Sequence, residues 1–495
     1  MGFSSFGGFS IQRSYARVGL QSRRGSLPER TQRAPRTFQK AIYALGMDAN
    51  KKPGTPAVSW IDEDGRMAEL VYDEAKAKTG FAVWNAESWQ DQTSVETPAG
   101  ERLIPFSPKN NLIKNGVVVL PSEPAEYGTE EALVAGIQAF IHRYVDVSPT
   151  FERIASYYVL LTWLYDAFKE LPYLRFQGDY GTGKTRALLT IGSLCYKAFF
   201  ASGASTVSPI FHILDAFRGT LVIDEADFRF SDEKSEIVKI LNNGNVDGLP
   251  VLRTIQDRQR EFNPRAFKVF GPKIVAMRGT YDDRALESRF LSEAMGTQAL
   301  REDVPINLPE SHKEEALQLR NKLLLYRFRN RAAARLDPTL VNPDLEPRLN
   351  QILVPLLSVV RDPKLRHELE GMARDVQFLL VADRSASAEA QILEVILELL
   401  GRSEQSAIPL SDIASALSER YGPEFERPIT TRWIGSVIRK RLRVSTYKTN
   451  GVFAVPRAEY PKVLYLCRRY GIEVGEHPHR ASEAYSRDLG SLGTN

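Results

Sequence analysis

The chain has 495 residues, of which 43% are hydrophobic and 25% charged, and a formal net charge of +4. That balance supports a full α/β core plus a second domain, and it excludes a wholly disordered chain or a repeat fibre. So small an excess of positive charge makes no polycation, and any case for a nucleic-acid partner has to rest on local patches.

The first 40 residues are rich in Gly, Ser and Arg and carry eight basic side chains against Glu29 alone. Residues 1–50 therefore read as a disordered basic arm suited to nonspecific contact with a polyanion. Residues 51–125 read as a small β-rich domain, because they hold alternating segments such as 68–72 (AELVY) and 116–120 (GVVVL). No apolar run suits a leader or a membrane span: the longest, near 157–168, is short and carries Asp166. The expectation is a cytoplasmic protein with no membrane partner. Cys195 and Cys467, far apart in helix-like segments, suit a reducing compartment and rule out a cysteine-based zinc cluster.

Residues 126–300 read as an α/β core with a parallel sheet between helices. Residues 178–185 are GDYGTGKT, a G-x-x-x-x-G-K-[ST] loop between a strand-like stretch (Tyr173, Leu174, Phe176) and a helix-like run. Gly178, Gly181 and Gly183 let the backbone bring successive N–H groups close to a polyphosphate, and the following helix N-terminus adds partial positive charge. Lys184 supplies a cation for the β- and γ-phosphates, and the Thr185 hydroxyl a ligand for Mg²⁺. The spacing thus implies ATP and Mg²⁺, cradled by Gly178, Asp179, Tyr180, Gly181, Thr182, Gly183, Lys184, Thr185 and Arg186.

Forty residues beyond Lys184, the apolar run from Thr220 ends in Asp224 and Glu225. A buried parallel strand ends in this way when it delivers carboxylates to a ligand crevice. Asp224 would complete the Mg²⁺ shell and Glu225 would polarise the attacking water; without the loop, the run would be an ordinary strand and a solvated acidic turn. A further strand, residues 273–277 (KIVAM), ends in Arg278, Gly279 and Thr280, where a polar side chain would touch the γ-phosphate.

Directly after it, residues 282–290 (DDRALESRF) complete a pattern that resembles the AAA+ ATPases. The resemblance is to their DNA-helicase branch, as in the minichromosome-maintenance helicases, in which a Ser-Arg-Phe segment carries a trans-acting arginine finger. It implies that Arg289, with Arg284 as second candidate, reaches the nucleotide of a neighbouring subunit in a ring, a hexamer. The plainer alternative pairs Arg289 with Glu287 or another nearby acid. Stretches at 158–166, 202–206, 239–244 and 270–273 look like replication-associated ATPases of phages, plasmids and mobile elements, and the resemblance covers about residues 115–335. It departs where such proteins carry an Asn after the third strand; Arg278 or Thr280 would have to take that role.

Residues 248–255 and 265–270 are β-prone and flank a charged segment at 257–261, which reads as a hairpin. By the resemblance it projects into the ring channel and follows a nucleic-acid backbone through Arg253, Arg258, Arg260 and Lys268, although a solvated hairpin would look the same. Residues 301–385 read as a helical lid and connector, with 314–335 closing over the nucleotide and Arg320 or Arg327 either sensing the γ-phosphate or solvated.

Residues 386–475 resemble a winged helix-turn-helix: helices at 391–400, at 408–417 with Ser411 as N-cap, and at 430–442, then a hairpin turning at Asn450 and Gly451. From 427 to 470 eleven Lys or Arg face a single acid, Glu459, which favours nucleic acid. The contact candidates are Arg432, Arg439, Lys440, Arg441, Arg443 and Lys448, while the same shape also serves protein contacts. Residues 476–495 read as a disordered tail in which His477 and His479 are incidental.

As a whole the sequence reads as an ATP-dependent DNA motor, the replicative or initiator helicase of a phage or mobile element. Its partners would be single-stranded or forked DNA, further copies of itself, and a primase or initiator docked on the N-terminal region, which would otherwise act as a collar. The rival reading, an ATP-switched DNA-binding regulator or loader, shares every motif. A defence-type ATPase would need an effector, and no nuclease, protease or membrane segment is legible.

Overall fold

A computed structural model describes residues 54–474, apart from 203–204, 225–230, 257–261, 282, 298, 403–404, 426–427 and 450. The expected arm at 1–50 and tail at 476–495 lie outside the described residues.

At the centre is a parallel sheet of five strands in the order Phe290–Ala294, Tyr173–Gln177, Lys273–Met277, Leu221–Ile223, Phe199–Ala201. Side chains alternate along a strand, so each strand feeds both faces. Leu174, Phe176, Val222, Ile274 and Ala276 join one apolar core; Tyr173, Leu221, Ile223, Val275 and Met277 join the other. A sheet buried on both faces reads as continuous apolar runs, which is why three of these strands stand out in the sequence. Phe199–Ala201 and Phe290–Ala294 do not. The first has three residues, and the second begins inside the Ser-Arg-Phe segment and is only partly buried.

The first core is closed by helices Glu130–Tyr144, Pro149–Leu164 and Lys184–Gly192, with Ser311–Asn330 and Pro347–Val359 packed beside them. Their starts are written locally. Thr129 accepts from the Ala132 N–H ahead of Glu130 and Glu131, and Ser148 accepts from the Phe151 N–H with Pro149 in the first turn. The second core is closed by helices Val207–Phe217 and Ser231–Asn243.

The N-terminal region forms a four-stranded antiparallel sheet, Ser59–Ile61, Met67–Asp73, Lys78–Trp84 and Trp89–Gln92, beside a three-stranded one of Thr55–Ala57, Val95–Glu96 and Arg102–Pro105. Residues 116–120 are not one of its strands. Val118 bridges Phe199 and the Val119 N–H donates to Ala198, so this segment lines the edge of the central sheet.

The N-terminal sheet is tied to the core by a buried ion network. Glu69 accepts from Lys197 Nζ at 2.8 Å, Arg327 Nε at 2.8 Å and the Tyr196 hydroxyl at 2.8 Å. Arg327 also grips Asp166, at 2.9 and 2.7 Å, and Arg331 binds the same carboxylate at 2.7 Å. Arg320, also buried, donates to the carbonyls of Leu120 and Ser193. Arg320 and Arg327 are thus neither solvated nor turned toward the glycine-rich loop: helix Ser311–Asn330 is a wall of the core, and these two cations are engaged inside it.

Burial alone would raise the Asp166 carboxyl, but the charges and hydrogen bonds of Arg327 and Arg331 outweigh it and bring its pKa down to about 2. A depressed folded-state pKa stabilises above the unfolded value and is lost as pH falls through the folded one. The melting temperature should therefore drop between about pH 4 and pH 2, and Asp166→Asn should flatten that part of the thermal-melt profile.

The expected hairpin is present as Val251–Gln256 paired antiparallel with Phe262–Phe267. At the C-terminus, helices Ala388–Arg402, Leu410–Tyr421 and Thr431–Ser436, the last continuing through a π turn at Val437–Arg441, precede a hairpin of Tyr447–Thr449 and Val452–Pro456. Gly451 turns it at φ +82°, and Thr430 caps the third helix through the Trp433 N–H. Ser411 is not a cap. The strand Ala407–Pro409, paired with the hairpin, runs straight into its helix, and the Ser411 hydroxyl donates to Asp412. A closing helix, Tyr460–Arg469, buries Cys467.

Candidate nucleotide site

The strand Tyr173–Gln177 delivers the glycine-rich loop at the carboxyl end of the sheet, where a parallel sheet binds ligands. Gly181 and Gly183 have φ of +72° and +87°, which a side chain would strain. The loop is held against the edge strand: Met295 N–H donates to Gln177 at 2.6 Å, and a Cβ on Gly178 would come within 2.6 Å of the Met295 carbonyl. Gly183 then opens helix Lys184–Gly192, whose first N–H groups have to be met from outside the helix.

Lys184 Nζ donates to the Gly178 carbonyl at 2.7 Å and the Asp179 carbonyl at 2.5 Å, folded over its own loop. The Thr185 hydroxyl donates to Asp224 Oδ2 at 2.7 Å. Asp224 follows strand Leu221–Ile223 and is fixed by its N–H to the Ala201 carbonyl at 2.9 Å. The two expected Mg²⁺ ligands, 39 residues apart, thus meet at the start of helix Lys184–Gly192. They fit the ion: a hydroxyl and a carboxylate are the hard oxygen donors Mg²⁺ takes while keeping several waters. Asp179 Oδ1 accepts from the Tyr180 N–H at 2.8 Å, and the Thr182 hydroxyl donates to the Asp179 carbonyl, so the tip is internally braced. Arg186 turns away from the loop and donates to the carbonyls of Pro305 and Ile306. Glu225 lies outside the described residues.

Arg289 is not presented at the surface. It is 9% exposed and donates to the Leu241 carbonyl at 3.2 Å and to Asn242 Oδ1 at 2.5 Å, capping the end of helix Ser231–Asn243. Glu287 pairs with Arg175 at 2.7 Å. Burial lowers the Arg289 pKa, and burial together with Arg289 brings buried Lys273 down to about 7, its amine held by the carbonyls of Gly244, Val269 and Gly271. Both cations lie at a helix C-terminus, where the dipole favours them. Arg284, on the same segment, is exposed. Asn242 donates to Asp283, which caps the short helix Arg284–Glu287, so the whole segment is fastened to helix Ser231–Asn243.

The nucleic-acid candidates separate into engaged and presented groups. Arg253 is paired with Glu236 and stacked on Phe211 at 3.9 Å, while Lys268 is exposed; Arg258 and Arg260 lie outside the described residues. On the C-terminal module Arg432, Lys440, Arg443 and Lys448 are exposed. Arg439 lies over Phe453 at 5.2 Å, and Arg441 pairs with Glu389 at 2.7 Å. Phe453 and Tyr447 are exposed beside them, a feature that counting charges does not reveal.

No protein-family model matches the chain, and no curated protein matches it. Among solved structures, the A form of the apo NrS-1 C-terminal region is similar over 86% of this chain and 93% of that one, at 14% identity and a TM-score of 0.36. Its 305–718 portion gives 13% identity and a TM-score of 0.33 over 79% and 96% of the two chains. JCV helicase bound to a thiazolopyridine compound gives 16% identity and a TM-score of 0.24 over 51% and 62%. Likenesses this weak carry nothing further. Among the described residues no helix is long and apolar enough to cross a membrane.

Proposed function

We propose that the chain is an AAA+ ATPase acting as a DNA motor, assembled so that one subunit completes the nucleotide site of the next. The observation that carries this reading is the Thr185 to Asp224 contact at the end of the phosphate loop, which joins two sequence motifs into one metal-ready site. Lys184 would leave the loop carbonyls for the β- and γ-phosphates, and the helix N-terminus would orient the chain of phosphates. Mg²⁺, when bound, neutralises phosphate charge. Glu225, next to Asp224 in sequence, would orient the attacking water. Exposed Arg432, Lys440, Arg443 and Lys448 would hold the DNA backbone, and Phe453 offers a ring to an unpaired base.

The trans-acting cation in this reading is Arg284, which is exposed, whereas Arg289 is buried. Arg284→Ala should reduce turnover by about 10³-fold with melting unchanged, whereas Arg289→Ala should lower the melting temperature. Doping wild type with Lys184→Ala checks the assembly: turnover should fall more steeply than the wild-type fraction. A strictly proportional fall would mean that each subunit works alone, and would favour a nucleotide-switched regulator.

A further inference from the structure

We infer that Gly296 is a positioning residue for the glycine-rich loop: the Thr182 side chain seats on it, so the segment that follows strand Phe290–Ala294 sets the loop's N–H groups from behind. This rests on the nucleotide reading above and adds to it a residue far outside the loop motif.

Two consecutive residues, Met295 and Gly296, back the loop at Gly178, Thr182 and Gly183. The Met295 carbonyl closes the space beside Gly178, and a Cβ on Gly183 would lie 3.7 Å from Met295 Cε. Gly296 meets Thr182, the residue between Gly181 and Gly183: a Cβ on Gly296 would overlap Thr182 Cγ2 and stand 3.0 Å from Thr182 Cβ. Gly296 also has φ +77°, so this position calls for glycine both for its backbone angle and for the room it leaves. Thr182 is further held by its hydroxyl, which donates to the Asp179 carbonyl at 2.9 Å.

The backing is itself fastened to the core. Glu293, just before it, accepts from the Ser148 N–H at 2.6 Å, and the Arg301 N–H, just after it, donates to Asp146 Oδ2 at 3.0 Å. Arg186, on the helix that the loop opens, donates to the carbonyls of Pro305 and Ile306, so the same stretch of chain is also tied to the far side of the loop. A row of N–H donors grips a polyphosphate only while its members hold their places to about 0.5 Å. A methyl group at position 296 exceeds that tolerance. Because the backing is anchored on both sides while Asp179, Tyr180 and Gly181 are exposed, the overlap would be relieved by moving Thr182 together with its N–H.

The test is calorimetric binding of Mg-ATPγS to the full chain in a double-mutant cycle of Gly296→Ala and Thr182→Ser, the second of which removes Cγ2 and keeps the hydroxyl. Gly296 is exposed and belongs to neither core, so the variants should remain folded at the titration temperature. Introduced into wild type, Gly296→Ala should weaken binding by about tenfold or more. Introduced into Thr182→Ser, it should weaken binding by less than about threefold relative to Thr182→Ser alone. Strain at positive φ is the same in both backgrounds and cannot produce that difference. An equal loss in both backgrounds, or no loss in either, overturns the inference while the nucleotide reading stands. Wild type that does not bind Mg-ATPγS overturns both.

Discussion

Lys184→Ala should reduce ATP turnover by at least about 100-fold, the scale on which removing a charge that stabilises a phosphoryl or oxyanion transition state acts. The fold should survive. Lys184 is only partly buried, and its hydrogen bonds run to two carbonyls of its own loop, Gly178 and Asp179, so nothing distant depends on it. Melting temperature should stay within a few degrees of wild type, about the shift that 1 kcal/mol or less produces in a chain of this size. Steady-state phosphate release beside a thermal melt separates the two effects. A large loss of stability would mean that the loop lysine is a structural clamp.

Glu69→Ala should cost about 3–5 kcal/mol of stability, the usual penalty for removing one partner of a buried ion pair. Glu69, Lys197 and Arg327 are each 1% exposed, so the two cations would be left in the core with one carboxylate, Asp166, to share. The site should be read out separately: nucleotide affinity at low temperature should hold while the denaturation midpoint falls. Because Glu69 comes from the N-terminal sheet, hydrogen exchange should rise first in Met67–Asp73 and Lys78–Trp84. The Glu69→Met, Arg327→Met pair should cost less than the sum of the single changes, since each single change takes a partner from the other charge.

The candidate nucleotide site was the most legible part of the sequence, since phosphate chemistry would dictate both residue types and spacing, and the structure brings Thr185 to Asp224. The strands at 173, 221 and 273 were visible because a sheet covered on both faces must be apolar throughout. The hairpin and the C-terminal helices followed from period and turn residues. What stayed hidden was the use of charge in the interior. Arg327 looked like any helix-surface arginine because its partner Glu69 lies 258 residues earlier. Arg289 looked like a surface finger because the carbonyl and amide it caps belong to another helix. Arg278 and Tyr180, nearly 100 residues apart, are brought together only by the register of two parallel strands.

The most direct measurement is ATP hydrolysis by the purified chain with and without single-stranded DNA, at low and at high salt. The account predicts strong stimulation by DNA at low salt that fades as salt rises, because the contacts proposed are mostly to phosphates. Hydrolysis indifferent to DNA at every salt concentration would contradict a DNA motor and leave a nucleotide switch.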